Sequence, residues 1–89
     1  MIEQSITIVN KLGLHARAAA KFVTTASQFD ATIQVARNGR IVNGKSIMGL
    51  MMLAAAKGTD IVIHIHGDDE QQAFDAIDML IKDCFGEDE

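Results

Sequence analysis

Four stretches of this chain alternate apolar and polar residues with a period of two, and a chain built on such stretches must form a sheet with one dry face. The clearest is DIVIHIH at 60–66, which sets Ile61, Ile63 and Ile65 on one side and His64 and His66 on the other. IEQSITIV at 2–9 sets Ile2, Ile6 and Ile8 against Glu3, Ser5 and Thr7, with Gln4 the one polar residue on the apolar side. ATIQVAR at 31–37 lines up Ala31, Ile33 and Val35. Asn38-Gly39, a pair that favours a type I′ turn, then leads into a short fourth stretch, RIVN at 40–43. Strands that are apolar on one face only predict an antiparallel sheet with helices on one side and water on the other.

Three segments with helical period supply the cover. Residues 16–28 carry Ala19, Phe22, Val23 and Ala26 at spacings of three and four, with Phe29 extending the stripe. Ser46 is placed to cap a second helix whose stripe is Ile47, Leu50, Met51 and Ala54, and Gly58 is its expected left-handed stop. The last helix is expected from about Asp69 to Cys84, started by an Asp68/Gln71 capping box, with Ala73, Ile77, Leu80, Ile81 and Cys84 inward. The class is α+β with element order β-α-β-β-α-β-α. Periodicity does not choose among the strand orders compatible with it. The 89 residues make one domain, 1–89, with the tail GEDE at 86–89 expected to fray.

Composition narrows the partners. With one cysteine there is no intramolecular disulfide, and no apolar run reaches the roughly 18–20 residues that span a bilayer. The opening MIEQSITIVNK lacks a basic start followed by an apolar run, so no leader and a cytoplasmic setting are expected. The net charge of −4 is unevenly spread. Residues 4–59 hold Lys11, Arg17, Lys21, Arg37, Arg40, Lys45 and Lys57 against Asp30 alone, whereas 60–89 hold ten carboxylates against Lys82. A basic half suggests an anionic ligand or partner on one side, or simply charges alternating over the surface. Nucleic acid fits less well: the basic residues are scattered, and no Tyr or Trp is present to stack on bases.

The stretch LGLHARAAAK at 12–21 carries the chemistry. His15 stands where the first helix begins, and neither serine, cysteine nor carboxylate is near it in sequence to complete a nucleophile–base set. Gly13 and Leu14 provide a bendable, anchored approach; a helix starting at about Ala16 directs its free N–H groups back toward the imidazole; Arg17 shares the space. A helix N-terminus favours anions and a neutral ring. Such a ring accepts a phosphoryl group on nitrogen, and the added charge meets amides and a guanidinium. Phosphoryl transfer asks for positioning and charge stabilisation more than for a base.

KLGLHARAAAKF closely resembles the active-site segment of the HPr family, the histidine phosphocarriers of the bacterial phosphoenolpyruvate-dependent phosphotransferase system, and GKSIMGLMMLAA resembles that family's second signature. The resemblance implies an open-faced β-sandwich with strand order 1-4-2-3 and three helices on one face. It implies phosphorylation of His15 at Nδ1, with Arg17 and the amides of Ala16 and Arg17 holding the phosphate. Enzyme I would be the donor and IIA-type proteins the acceptors, with no metal and no cofactor beyond the phosphoryl group drawn from phosphoenolpyruvate. The protein would be a carrier, consumed and regenerated each cycle, rather than an enzyme. One position departs: the family usually has proline after the arginine, and this chain has Ala18.

Ser46, a helix cap in its own right, is by the same resemblance a target of an HPr kinase/phosphorylase. Ile47, Met48, Met51 and Met52 spread too widely around a short helix to be buried together, and the resemblance makes the exposed remainder a docking face with Leu14, Lys21 and Lys45. His64 and His66 point to one side without a third metal ligand, and a solvent-facing role is expected. A monomer is expected. Two alternatives stay open: a nitrogen-type regulatory branch not coupled to sugar transport, and a binding module for an anion or a protein that performs no phosphotransfer.

Overall fold

A computed structural model describes residues 1–89. The strands are β1 (Ile2–Thr7), β2 (Thr32–Arg37), β3 (Arg40–Asn43) and β4 (Asp60–His66), and the helices are α1 (Ala16–Ala26), α2 (Ile47–Met52) and α3 (Glu70–Lys82), followed by a single 3-10 turn at Cys84–Gly86. The strands pair in the order β1-β4-β2-β3, every pair antiparallel. Ile6 lies opposite Ile61, and Ile65 and Ile63 of β4 lie opposite Ile33 and Val35 of β2. A slip of one residue would turn these side chains into water, so the register is set by the apolar alternation.

Burial follows the sequence pattern in the sheet, in α1 and over most of α3, but of the stripe expected for α2 only Leu50 is buried, and Ile47, Met51 and Ala54 are exposed. Ile33, Val35, Ile61, Ile63 and Ile65 are buried under Ala18, Ala19, Phe22 and Ala26 of α1, Leu50 of α2, and Ala73, Ile77 and Ile81 of α3. Asn38 and Gly39 both take positive φ, 51° and 79°, and close the β2–β3 hairpin at the Arg37–Arg40 pair. Ile8, just past β1, is fully buried and donates its N–H to Thr59 O at 2.9 Å.

The helix ends differ from expectation where tertiary contacts replace local signals. α2 stops at Met52, and the left-handed residue that turns the chain is Ala54 at φ 51°, four positions before Gly58. Its unpaired carbonyls are met by arginine: Arg37 donates to Leu53 O at 2.7 Å and Arg40 to Met52 O at 3.2 Å. At the start of α3 the expected capping box does not form. Asp69 is the cap residue, yet its carboxylate accepts from the Asp30 and Ala31 N–H groups at 2.8 and 2.9 Å, tying α3 to the turn before β2.

The C-terminal segment is the main correction. α3 ends at Lys82, Cys84 is only partly buried, and Phe85 takes the core position instead, fully buried at φ 56°. The tail expected to fray is held. Lys21 donates to Phe85 O at 2.7 Å, Lys11 N–H donates to Glu89 O at 3.1 Å, and Lys11 pairs with the Glu89 carboxylate at 3.2 Å. Phe85→Ala is expected to lower stability by about 3–5 kcal/mol and to free residues 86–89. Urea midpoints, with amide hydrogen exchange over the tail, check this.

Candidate functional site

The approach to α1 is a tight turn made rigid by backbone bonds. Gly13 N–H donates to Asn10 O at 3.2 Å, and Leu14 N–H to Ala55 O at 2.9 Å. Gly13 sits at φ 66°, and a Cβ there would lie 2.4 Å from Ala55 O, so only glycine lets the loop close on the segment after α2. Leu14 is buried and anchors the loop. That burial removes it from the docking face on which it was expected; the exposed apolar residue of this loop is Leu12, 66% accessible.

His15 is the cap residue of α1, extended at φ −74°, ψ 177°. The first bond within the helix runs from Ala19 N–H to His15 O at 2.8 Å, which leaves the N–H groups of Ala16, Arg17 and Ala18 without intrahelical acceptors. The exposed Arg17 side chain makes no hydrogen bond or ion pair. Ala18, which stands where the family pattern has proline, is buried in this first turn, and a ring there would remove no helix hydrogen bond.

The imidazole does have a carboxylate, from the far end of the chain. His15 Nε2 is hydrogen-bonded to Glu87 Oε2, and Glu87 Oε1 accepts from Asn10 Nδ2 at 2.9 Å. The same Asn10 Nδ2 donates to Gly13 O at 2.9 Å. Asn10 is completely buried, and its Oδ1 has no partner. Asn10 and Glu87 thus triangulate His15 with the loop that precedes it. Neither was singled out in the sequence. Their separation of 77 residues leaves no local signal, although an asparagine three residues before a glycine and an acidic tail were both visible.

Around this contact, Lys11, Arg17 and Lys21 face Glu87, Asp88 and Glu89 across an open cleft of about 660 Å³. The Asn10 amide holds the Glu87 carboxyl below the usual glutamate range; burial opposes this, and the hydrogen bond from His15 and the charge of Lys21 add to the lowering. A carboxyl lowered in the folded state contributes stability above its unfolded pKa and loses it as pH falls through the folded value.

Lys45 is tied down in the same way as Lys21. Lys45 donates to Phe29 O at 2.7 Å and joins the β3–α2 loop to the turn after α1, so it, like Lys21, serves a carbonyl rather than standing free for a partner. Ser46 caps α2, its hydroxyl accepting from Gly49 N–H at 3.0 Å. Ile47, Met48, Met51 and Met52 are all exposed, Met48 to 72%, on a helix whose following segment is bonded to the His15 loop through Ala55. His64 faces the open side of the sheet, its Nδ1 3.2 Å from Glu3.

Against this geometry, residues 2–83 match the model of the family described as PTS HPr component phosphorylation site. The chain belongs to the HPr family. Phosphocarrier protein HPr of Neisseria meningitidis serogroup A is 60% identical over 89 residues, covering all of both chains. Among solved structures, HPr-C-His from Thermoanaerobacter tengcongensis is similar with a TM-score of 0.95 at 47% identity, covering all of both chains. An HPr dimer from the same organism aligns at 0.79 and 48% identity, covering 98% of this chain and all of that one. This HPr-family chain is a phosphocarrier of the phosphotransferase system, with the strand order 1-4-2-3 that the resemblance implied. No helix in it is long and apolar enough to cross a membrane.

Wild type is expected to lose more stability than Glu87→Ala as pH falls below about 4.3. Urea midpoints of the two proteins, taken from neutral pH downward, measure the difference, which cancels the separate contribution of Glu70, lowered by the N-terminal amino group and Gly67 N–H.

Proposed function

We propose that His15 takes a phosphoryl group on Nδ1 from phosphorylated Enzyme I and passes it to IIA-type acceptors, in sugar uptake or its regulation. The observation that carries this reading is the engagement of Nε2 by Glu87, which leaves Nδ1 as the ring nitrogen with no hydrogen bond, beside the unpaired amides that open α1. The phosphoryl oxygens then meet the Ala16 and Arg17 amides and the Arg17 guanidinium. Hydrogen bonds to a charged group are worth about 1.5–3 kcal/mol each. That is enough to poise a phosphohistidine and too little to trap it.

The phosphoryl group itself, drawn from phosphoenolpyruvate through Enzyme I, is the only additional species the reaction needs, and the protein acts as a reactant rather than a catalyst. Leu12 and the exposed Ile47, Met48, Met51 and Met52 form a deformable apolar face for docking both donor and acceptor. Because one chain supplies Asn10, His15, Arg17 and Glu87, the carrier works as a single copy. Ser46 is a second modification site, for an HPr kinase/phosphorylase. Phosphate there keeps an acceptor at the helix start and adds negative charge beside the docking face.

Incubation with Enzyme I and phosphoenolpyruvate should add one acid-labile phosphoryl group to the wild type and none to His15→Ala, read by mass before and after mild acid. Retained function in His15→Ala would turn the reading toward a simple binding module. Transfer to sugar-specific versus nitrogen-type IIA proteins assigns the branch. Met48→Asp should slow transfer about tenfold with an unchanged urea midpoint, since it places charge on an apolar contact without touching the core; unchanged rates would remove this face from the docking surface.

A further inference from the structure

We infer that Glu87 is a positioning residue: its carboxylate holds the Nε2 proton of His15 and so keeps the lone pair on Nδ1, the nitrogen that takes and releases the phosphoryl group. The kinetic part of this inference rests on the carrier reading above; the tautomer does not.

The argument starts from donors and acceptors. An ionised carboxylate only accepts, so the Glu87 contact to Nε2 requires a proton on Nε2, and in a neutral imidazole that places the lone pair on Nδ1. Glu87 is itself held in orientation. Its Oε1 accepts from Asn10 Nδ2, and Asn10 cannot turn over, because the same Nδ2 also serves Gly13 O and reversal would set Oδ1 against both acceptors. A buried amide thus dictates which carboxylate oxygen reaches the ring. Lys11, Arg17 and Lys21 stand around the contact with Asp88 and Glu89, so it has both signs of charge at its rim.

The transfer balances with no proton lost. The Nδ1 lone pair forms the N–P bond while the donor's bond to phosphorus breaks and its electron pair stays with the donor. The ring, still carrying Nε2–H, becomes a phosphorylated imidazolium facing the Glu87 carboxylate. On delivery the acceptor's nucleophile attacks phosphorus, the N–P pair returns to Nδ1, and neutral imidazole leaves. Were Nε2 unprotonated, the leaving group would be imidazolate, a much poorer one. The carboxylate therefore assists both halves of the cycle through the ring, as an orienting acid residue does for a histidine base.

Glu87→Gln and Glu87→Ala separate this from a merely structural role. In the glutamine variant, Asn10 Nδ2 must still face an oxygen, so the new NH₂ faces Nε2 and donates to it, which drives the proton to Nδ1. Alanine removes the constraint without reversing it. The conservative variant is therefore the worse one. Ring ¹⁵N NMR should show Nε2–H in the wild type and Nδ1–H in Glu87→Gln. Phosphorylation by phosphoramidate, a small P–N donor that needs no partner protein, should be slower in Glu87→Gln than in Glu87→Ala by about 10²-fold, within the loss of up to about 10⁴ that a wrong tautomer causes elsewhere.

The inference is overturned by an Nδ1–H tautomer in the wild type, or by Glu87→Gln reacting no more slowly than Glu87→Ala. The wild-type spectrum tests it even if either variant fails to fold. If phosphoramidate reacts in the expected order and Enzyme I donates to none of the three, the carrier reading fails and the tautomer assignment stands; if Enzyme I donates to all three equally, the carrier reading stands and the kinetic part of the inference fails, while the ring spectrum alone decides the tautomer.

Discussion

Everything in this structure is arranged around a four-stranded sheet that has only one side to bury. Ile6, Ile33, Val35, Ile61, Ile63 and Ile65 present one apolar surface, and α1, α2 and α3 must all lie on it. With the strands ordered β1-β4-β2-β3, the β1–α1 loop lies against the segment leaving α2, where Leu14 bonds to Ala55 and Gly13 passes too close for a side chain. His15 is thus placed by the packing of the core beneath it. Phe85 completes that core from the other end of the chain, and in doing so brings residues 87–89 over the start of α1.

The site is therefore assembled from three distant pieces of backbone. The turn at Asn10–Leu14 provides a buried amide, the first turn of α1 provides imidazole, guanidinium and free N–H groups, and the tail provides a carboxylate. Polar groups in such a place are strongly directional, because a buried donor or acceptor left unmatched costs about 1–3 kcal/mol. Asn10 has one face so matched and one orphan oxygen, which is why its orientation is informative about the ring it helps to hold.

The charge asymmetry of the chain has a different meaning in three dimensions than in one. Arg37 and Arg40 meet the carbonyls that α2 leaves open, Lys45 and Lys21 meet the carbonyls of Phe29 and Phe85, and Lys11 pairs with Glu89. Most of the basic half is thus committed to closing the backbone at helix ends and turns. Arg17, in the first turn of α1, keeps its guanidinium uncommitted, two residues from His15.

Periodicity and turn chemistry in the sequence alone determined the elements, the inward residues of the sheet and of α1, the Asn38-Gly39 hairpin and the Ser46 cap, because each depends on neighbours within a few positions. The placement of His15 and Arg17 at the start of α1 was legible for the same reason, since it follows from the local pattern of one helix start. The lengths of α2 and α3, the exchange of Cys84 for Phe85 in the core, the inward turn of Lys21 and Lys45, and the burial of Leu14 were decided only by tertiary structure. So was the Asn10–Glu87–His15 contact, whose members lie 72 and 77 residues apart. Short-range backbone preference can place a residue on a face. Which distant polar group meets it is set by how the whole core closes.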